Sequence, residues 1–88
     1  MAELEFEWSP RKARANLKKH GVSFEEAQSV FYDDEALFRD DDEHSDDEER
    51  FVLLGLSSLL RILVVVHCFR RAYDVTRIIS ARRASPSE

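Results

Sequence analysis

The longest apolar run in the chain is Ile62–Val66, which His67, Cys68 and Phe69 continue. An unbroken run of β-branched residues and leucine is typical of a strand that is covered on both faces. After a polar break of four or five residues, a second run at Val75–Ala81 is mostly apolar but contains an arginine. Two such runs joined by a short loop predict a β-hairpin at the centre of a sheet.

Polar side chains mark one face of the first strand of this hairpin. Successive residues of a strand point to opposite faces, so one face is expected to carry Arg61, Leu63, Val65, His67 and Phe69. Arginine and histidine are poorly suited to a face that lies wholly in the core. The pattern therefore predicts that this face is open to an anionic partner.

The register of the hairpin decides which other arginines join Arg61. One register places Arg61 opposite Arg82, and a shift by one residue brings Arg77 and Arg83 to the face instead. The sequence does not choose between the two registers. In both of them at least two arginines and a histidine gather on one face of the sheet.

An edge strand and a helix are predicted at the amino-terminal end. Large apolar residues alternate with glutamates over residues 3–8, as in a half-exposed strand. The helix begins with the capping hydroxyl of Ser9 followed by Pro10, runs to about Lys19 and ends at Gly21. Its expected apolar stripe consists of Ala13, Leu17 and His20, with Asn16 alongside.

The remaining elements complete a small α+β domain. A capping box that starts at Ser23 predicts a second short helix over about Phe24–Phe31. A strand near Glu35–Arg39, a polar loop over Asp40–Glu49 and a strand over Phe51–Leu56 follow before the hairpin. The order β-α-α-β-β-β-β predicts one domain over residues 1–88, a mostly antiparallel sheet with two helices packed on one face.

Charge is distributed unevenly along the chain. Residues 33–50 contain eleven acidic residues against two arginines, a local net charge of −9, whereas the other seventy residues carry +4 and the whole chain −5. A basic body is compatible with nucleic acid, because phosphate contacts provide most of that affinity. The acidic loop is expected to be solvated surface, with docking of a partner protein as the alternative.

Several kinds of site lack the residues they need. The lone Cys68 excludes an intrachain disulfide and favours a reducing cytosol. No signal peptide opens the chain, and glycine, serine and arginine interrupt the apolar stretch of residues 51–66, so no membrane span is expected. Neither the three histidines nor the acidic loop has zinc or EF-hand spacing, and no glycine-rich phosphate loop is present. We expect no metal ion and no cofactor.

Arginine remains as the residue type that could carry chemistry. Guanidinium groups match the geometry of phosphate and can neutralise the charge of a developing phosphorane. A metal-free ribonuclease needs such a group and a second one that activates the ribose 2′-hydroxyl. The alternative is a row of arginines that solvates the sheet or binds the acidic loop of the same chain. His67 is equally consistent with a general acid or base and with a core histidine.

Long segments of the chain resemble the BrnT toxin family. The resemblance rests on FEWSPRKARANLKKHGVSFEEAQSVFYDD, HSDDEERFVLLGLS, RILVVVHCFRR and RIISARRAS, which cover nearly the whole chain in the same order. It implies a RelE-like fold and a cytoplasmic bacterial ribonuclease that cleaves RNA without metal and inhibits translation. It further implies a BrnA-like ribbon-helix-helix antitoxin as partner, in a heterotetramer that reaches operator DNA only through the antitoxin.

The resemblance also suggests roles for individual residues. Arg61 corresponds to an arginine that holds the scissile phosphate, Arg82 or Arg83 to a second basic residue, and Glu49 or Glu48 to a carboxylate base. With His67, the expected catalytic residues are therefore Arg61, His67, Arg82 and Glu49. The residues expected to bind RNA are Lys18, Lys19, Arg70, Arg77 and Arg83. An Arg61→Ala variant is expected to lose roughly 100-fold in cleavage while its folding survives.

The chain departs from the family at its carboxyl-terminal end. Related chains continue with a basic residue and a tyrosine on a terminal helix, whereas this one stops at Glu88, just after a helix start at Ser85-Pro86. A shortened terminal helix predicts weakened activity. The rival hypothesis is a non-catalytic binding module that only holds its antitoxin and co-represses the operon.

Overall fold

The computed structural model describes residues 4–41, 49–70 and 74–86, which form two helices and five strands. The elements are β1 (Glu5–Glu7), α1 (Pro10–His20), α2 (Phe24–Ser29), β2 (Leu37–Asp40), β3 (Phe51–Leu56), β4 (Ile62–Arg70) and β5 (Val75–Arg83). The strands form one sheet in the order β1-β5-β4-β3-β2, in which only β1 and β5 run parallel. The predicted α+β class, with two helices and a mostly antiparallel sheet, is confirmed.

The residues that predicted the helix starts and the end of α1 form the expected caps. The hydroxyls of Ser9 and Ser23 accept hydrogen bonds from the backbone N–H groups of Lys12 (3.3 Å) and Glu26 (3.0 Å). Such caps satisfy donors that the first turn of a helix leaves without a partner. Gly21 ends α1 with a φ of 71°, which glycine adopts without steric cost.

The prediction that Leu17 belongs to the apolar stripe of α1 is wrong. Leu17 is 52% exposed, and the neighbouring Asn16 is buried instead. The Asn16 amide nitrogen donates to the carbonyl oxygens of Val22 (2.9 Å) and Ala81 (2.8 Å), and its oxygen accepts from the Ala81 N–H (3.1 Å). A buried amide is tolerated when its hydrogen bonds are made in this way. Asn16 thus fixes α1 to β5.

Two other predicted bounds differ from the structure. The helix α2 ends at Ser29 and continues as a short 3-10 helix over Val30–Tyr32. Residues 84–86 are not helical, so the described residues contain no terminal helix. Most of the acidic loop, residues 42–48, lies outside the described residues, as do residues 71–73 and 87–88.

Both helices pack on the same face of the sheet. The core consists of Val22, Phe24, Ala27 and Val30 from the helical layer and Leu53, Leu63, Val65, Ile78 and Ala81 from the sheet, and Ala13 of α1 packs against it. Along β3 the residues 51, 53 and 55 are buried, and residues 52, 54 and 56 point to the opposite side. Gly55 permits the close approach of the helical layer, since a Cβ there would lie 2.9 Å from Cγ1 of Val30 in the 3-10 helix. We call the side of the sheet opposite the helices the helix-free face.

The β4–β5 hairpin is present, but both predicted registers are wrong. Where β4 begins and β5 ends, Leu63 pairs with Arg83 and Val64 pairs with Arg82. The pairing shifts by one residue between Val66 and His67, because Ile79 forms a bulge in β5. Arg82 therefore lies on the helix-free face with Val64, whereas Arg83 lies on the helix-covered face with Leu63.

Candidate functional site

Arg61 is bound to the helical layer rather than presented on a bare sheet. Its guanidinium forms a bidentate ion pair with the Glu26 carboxylate of α2, in which Nε lies 2.9 Å from Oε2. A second guanidinium nitrogen donates to the carbonyl oxygen of Gly21 at 3.1 Å. The Glu26 side chain is only 4% exposed and also accepts from the hydroxyl of Ser57 at 2.7 Å. Arg61 thus joins the β3–β4 turn to α2.

The electrostatics of this cluster favour the charged forms of both partners. The hydrogen bond from Arg61 holds the pKa of Glu26 below its ordinary value although burial opposes it, and the Arg83 charge adds to the effect. Conversely, the hydrogen bond to Glu26 raises the pKa of Arg61. The cluster is therefore an ion pair in which the Glu26 carboxylate already compensates the Arg61 charge.

The turn that precedes Arg61 has a strained backbone held by several hydrogen bonds. Leu60 has a φ of 61°, a conformation that costs energy for a residue with a branched side chain. The Ser57 hydroxyl accepts from the N–H groups of Leu59 (3.2 Å) and Arg61 (3.3 Å), and the Ser57 N–H donates to the Arg61 carbonyl (2.8 Å). These bonds fix the position from which the Arg61 side chain reaches Glu26.

His67 lies in the core, so the prediction that its strand face is open is wrong. The residue is 0% exposed, and four phenylalanine rings lie within 4.8–6.1 Å of the imidazole, those of Phe31, Phe38, Phe51 and Phe69. Its Nδ1 lies 3.2 Å from the Val65 carbonyl, and Nε2 has no hydrogen-bond partner among the described residues. This geometry favours the core histidine over the general acid or base.

Burial in this apolar setting lowers the pKa of His67, which the contact with the Val65 carbonyl only partly offsets. The unfolded chain takes up a proton at this residue near pH 6.5, whereas the folded chain does so only at a lower pH. The free energy of unfolding is therefore expected to fall below about pH 6.5, by at most about 1.4 kcal/mol per pH unit. Urea unfolding at pH 7.5, 6.5 and 5.5 measures this dependence.

A His67→Leu variant should lose this part of the pH dependence because it has no imidazole to protonate. A His20→Gln variant, altered at the partly exposed end of α1, is the matched control and should keep it. Equal slopes for wild type and His67→Leu between pH 7.5 and 5.5 would contradict the assignment.

Four arginines of the described strands lie on the helix-free face. Arg82 is exposed beside Val64, and Arg39 is exposed on the edge strand beside Val52. Toward the other end of the sheet, Arg77 and Arg70 approach the Glu7 carboxylate at 2.8 and 3.5 Å. These arginines, with Glu5 and Glu7 of β1, share a surface that a phosphate chain can reach.

The other residues predicted for the site fall in three places. Lys18 and Lys19 are exposed in the last turn of α1, on the helical side of the molecule. Arg83 lies on the helix-covered face near Glu26, and Glu49 is exposed just before β3. The structure therefore separates Arg61, His67 and Arg83 from Arg82, Arg77 and Arg70.

Sequence reasoning missed two members of the helix-free face. Arg39 was predicted only as the end of a strand, and Glu7 only as a solvated residue of an edge strand. The alternation in β2, with Leu37 and Arg39 on one side, carried the signal for Arg39. Nothing local signalled the contacts of Glu7, because they depend on the parallel pairing of β1 with β5.

The described residues contain neither a metal-binding cluster nor a membrane-spanning helix. No three histidine, cysteine or carboxylate side chains in residues 4–41, 49–70 and 74–86 are placed to bind a metal ion. Within the same residues, neither helix has the length and apolarity needed to cross a membrane.

Comparison with known proteins identifies a family. The model of the family described as "Ribonuclease toxin, BrnT, of type II toxin-antitoxin system" matches residues 8–88. The fold is similar to the crystal structure of the Brucella abortus ribonuclease toxin BrnT, with a TM-score of 0.70 and 21% sequence identity. That match covers 94% of this chain and 99% of the other. No curated protein sequence matches the chain.

Proposed function

The chain belongs to the BrnT family of ribonuclease toxins of type II toxin–antitoxin systems, and we propose that it cleaves RNA on its helix-free face without a metal ion. The observation that carries this proposal is the set of arginines on that face: Arg39, Arg70, Arg77 and Arg82. Arginine binds phosphate through several N–H groups at once, which both positions the chain and stabilises added negative charge.

The proposed reaction is an internal transfer at the phosphate. A base removes the proton of the ribose 2′-hydroxyl, the 2′-oxygen attacks phosphorus, and the 5′-oxygen departs and takes up a proton. The products are a 2′,3′-cyclic phosphate, which can open to a 3′-phosphate, and a 5′-hydroxyl. Arg82 would stabilise the charge on the pentacoordinate phosphate, where a well-placed donor has its largest effect.

Two carboxylates are candidates for the base. Glu49 is exposed at the start of β3 and was expected in this role, and Glu7 lies between Arg70 and Arg77 on the helix-free face. A carboxylate must lie within hydrogen-bond reach of the hydroxyl that it deprotonates. Comparing cleavage by Glu49→Gln and Glu7→Gln variants distinguishes the two.

The catalytic roles expected for Arg61 and His67 fit the helix-free face less well. Both side chains belong to the helix-covered side, where Arg61 binds Glu26 and His67 lies in the core. We propose that Arg61 and His67 stabilise the fold and that Arg70 and Arg77 bind RNA together with Arg82. Lys18, Lys19 and Arg83 lie away from this face and would contact only RNA that extends around the domain.

The wider assignment follows from the family. A type II toxin has an antitoxin partner, and we propose one of the BrnA-like ribbon-helix-helix kind in a complex of two toxins and two antitoxins. Operator DNA would be bound through the antitoxin alone. The toxin would act in the bacterial cytoplasm, where cleavage of RNA inhibits translation.

Incubating the purified chain with total RNA, with and without a chelator, tests the proposal. We expect cleavage in both cases, with 5′-hydroxyl ends and cyclic or 3′-phosphate ends. Cleavage that stops when the chelator is added would overturn the metal-free mechanism. If the RNA stays intact while the chain still binds its antitoxin, the non-catalytic binding module is favoured. The exposed apolar side chains on the helix-free face are also consistent with such a module.

A further inference from the structure

The helix-free face has an apolar part that the arginines do not account for. Leu37, Leu56 and Ile62 are 60%, 40% and 48% exposed. With the half-buried Val52, Leu54 and Val66 they form what we call the apolar band, which runs along β3 and β4 and reaches β2. Contiguous exposed apolar surface of this kind marks a site of interaction with protein or membrane.

Positive charge flanks the apolar band on both sides. Arg39 pairs with Val52 on the β2 side, and Arg82 pairs with Val64 on the β5 side, so each guanidinium stands beside the band on the same face. Three inter-strand spacings separate β2 from β5, or about 14 Å. An α-helix with its side chains is about 10–12 Å in diameter and therefore fits between the two arginines.

We propose that the apolar band is the docking site for one amphipathic helix of a partner protein, with an apolar stripe and acidic residues on both sides of it. The stripe would bury Leu37, Leu56 and Ile62, and the acidic residues would pair with Arg39 and Arg82. This inference rests on the proposed function, because the antitoxin is the partner that would supply the helix.

The side chains of the band favour protein over RNA as its occupant. All six are aliphatic, whereas single-stranded RNA is held by aromatic side chains on which bases stack. An amphipathic helix binds a partner by laying its apolar face on aliphatic surface of this kind. RNA would use the arginines on the same face, and the helix would compete with it at Arg82.

The binding test uses the ribbon-helix-helix antitoxin purified with this chain. A Leu37→Ser, Leu56→Ser, Ile62→Ser variant should bind it roughly 100-fold more weakly, because truncated apolar anchors dominate such losses. The matched control is Leu17→Ser, at an exposed leucine of α1 on the helix-covered side of the sheet, and it should bind as the wild type does. An Arg39→Glu variant should bind several-fold more weakly, with a difference that shrinks at high salt.

A footprint on the wild-type complex guards against variants that fail to fold. Radical oxidation of Leu37, Leu56 and Ile62 should fall several-fold when the antitoxin is bound, and that of Leu17 should stay constant. The inference would be overturned if the band residues are not protected in the complex, or if the folded band variant binds the antitoxin with unchanged affinity. It would also be overturned if the wild-type chain does not bind the antitoxin. A chain that dimerises alone with the band protected would overturn it too, because a second copy would then be the occupant.

Failure of this inference can be told apart from failure of the proposed function. Cleavage of RNA by the wild-type chain is measured without antitoxin and does not involve the band. Cleavage with an unprotected band would leave the function in place and remove the docking site. A protected band without cleavage would support the docking site and favour the non-catalytic binding module.

Discussion

An Arg82→Ala variant is expected to cleave RNA roughly 100-fold more slowly than the wild type, the scale on which loss of one transition-state donor acts. Arg82 is exposed on the helix-free face, so its removal should leave the fold intact. Exposed substitutions away from special backbone or packing features usually change stability by less than about 0.5 kcal/mol. Single-turnover cleavage of a labelled RNA measures the rate, and thermal unfolding checks the fold.

The control for this prediction is an arginine of similar exposure on the other side of the molecule. Arg14 is exposed on α1, and Arg14→Ala removes the same charge without touching the helix-free face. If both variants lose activity equally, net charge rather than position explains the loss. If Arg82→Ala cleaves at the wild-type rate, Arg82 has no part in the reaction.

Most of the helices and strands could be predicted from local sequence signals. The caps at Ser9 and Ser23 and the glycine at position 21 each depend on a few neighbouring residues, so the sequence predicted where the helices begin. The apolar runs of the hairpin and the alternation in β1 likewise depend on local periodicity. These are features for which the conformation and its cause lie within the same few residues.

The candidate site could not be derived in the same way. Alternation correctly grouped Leu63, Val65 and His67 on one face, but it could not tell which face the helices would cover, because β4 is apolar on both. The polar residues were therefore assigned to an open surface, whereas His67 is buried. The bulge at Ile79 then moved Arg82 to the opposite face, and no residue type in β5 signals a bulge there.

Asn16 and Glu26 illustrate a second limit. Both are polar residues on helices, and by composition alone both belong to solvent. Asn16 is instead buried against Ala81, sixty-five residues away, and Glu26 against Arg61, thirty-five residues away. A polar residue is stable in the core only through partners that the fold supplies, so its burial cannot be predicted before the fold is known.

Loss of the Arg61–Glu26 pair is expected to have the largest effect on stability. The sequence alone predicted that Arg61→Ala would fold normally, but the pair implies that this variant leaves a buried carboxylate without its main partner. Breaking such a pair from one side is strongly destabilising. We expect Arg61→Ala and Glu26→Ala to lower Tm by on the order of 10 °C, since 1 kcal/mol corresponds to roughly 4–8 °C in a domain of this size.

A double replacement separates the ion pair from a catalytic role for Arg61. Replacing both partners together, as Glu26→Leu with Arg61→Met, removes the unpaired charge and should recover much of the lost Tm, because apolar pairs of similar volume often substitute for buried ion pairs. If Arg61 acts only through the fold, RNA cleavage should return with stability. A double variant that is stable but inactive would instead place Arg61 at the phosphate. If a Glu26→Ala, Arg61→Ala variant lost as much Tm as the two single alanine variants together, the two side chains would not act as a pair.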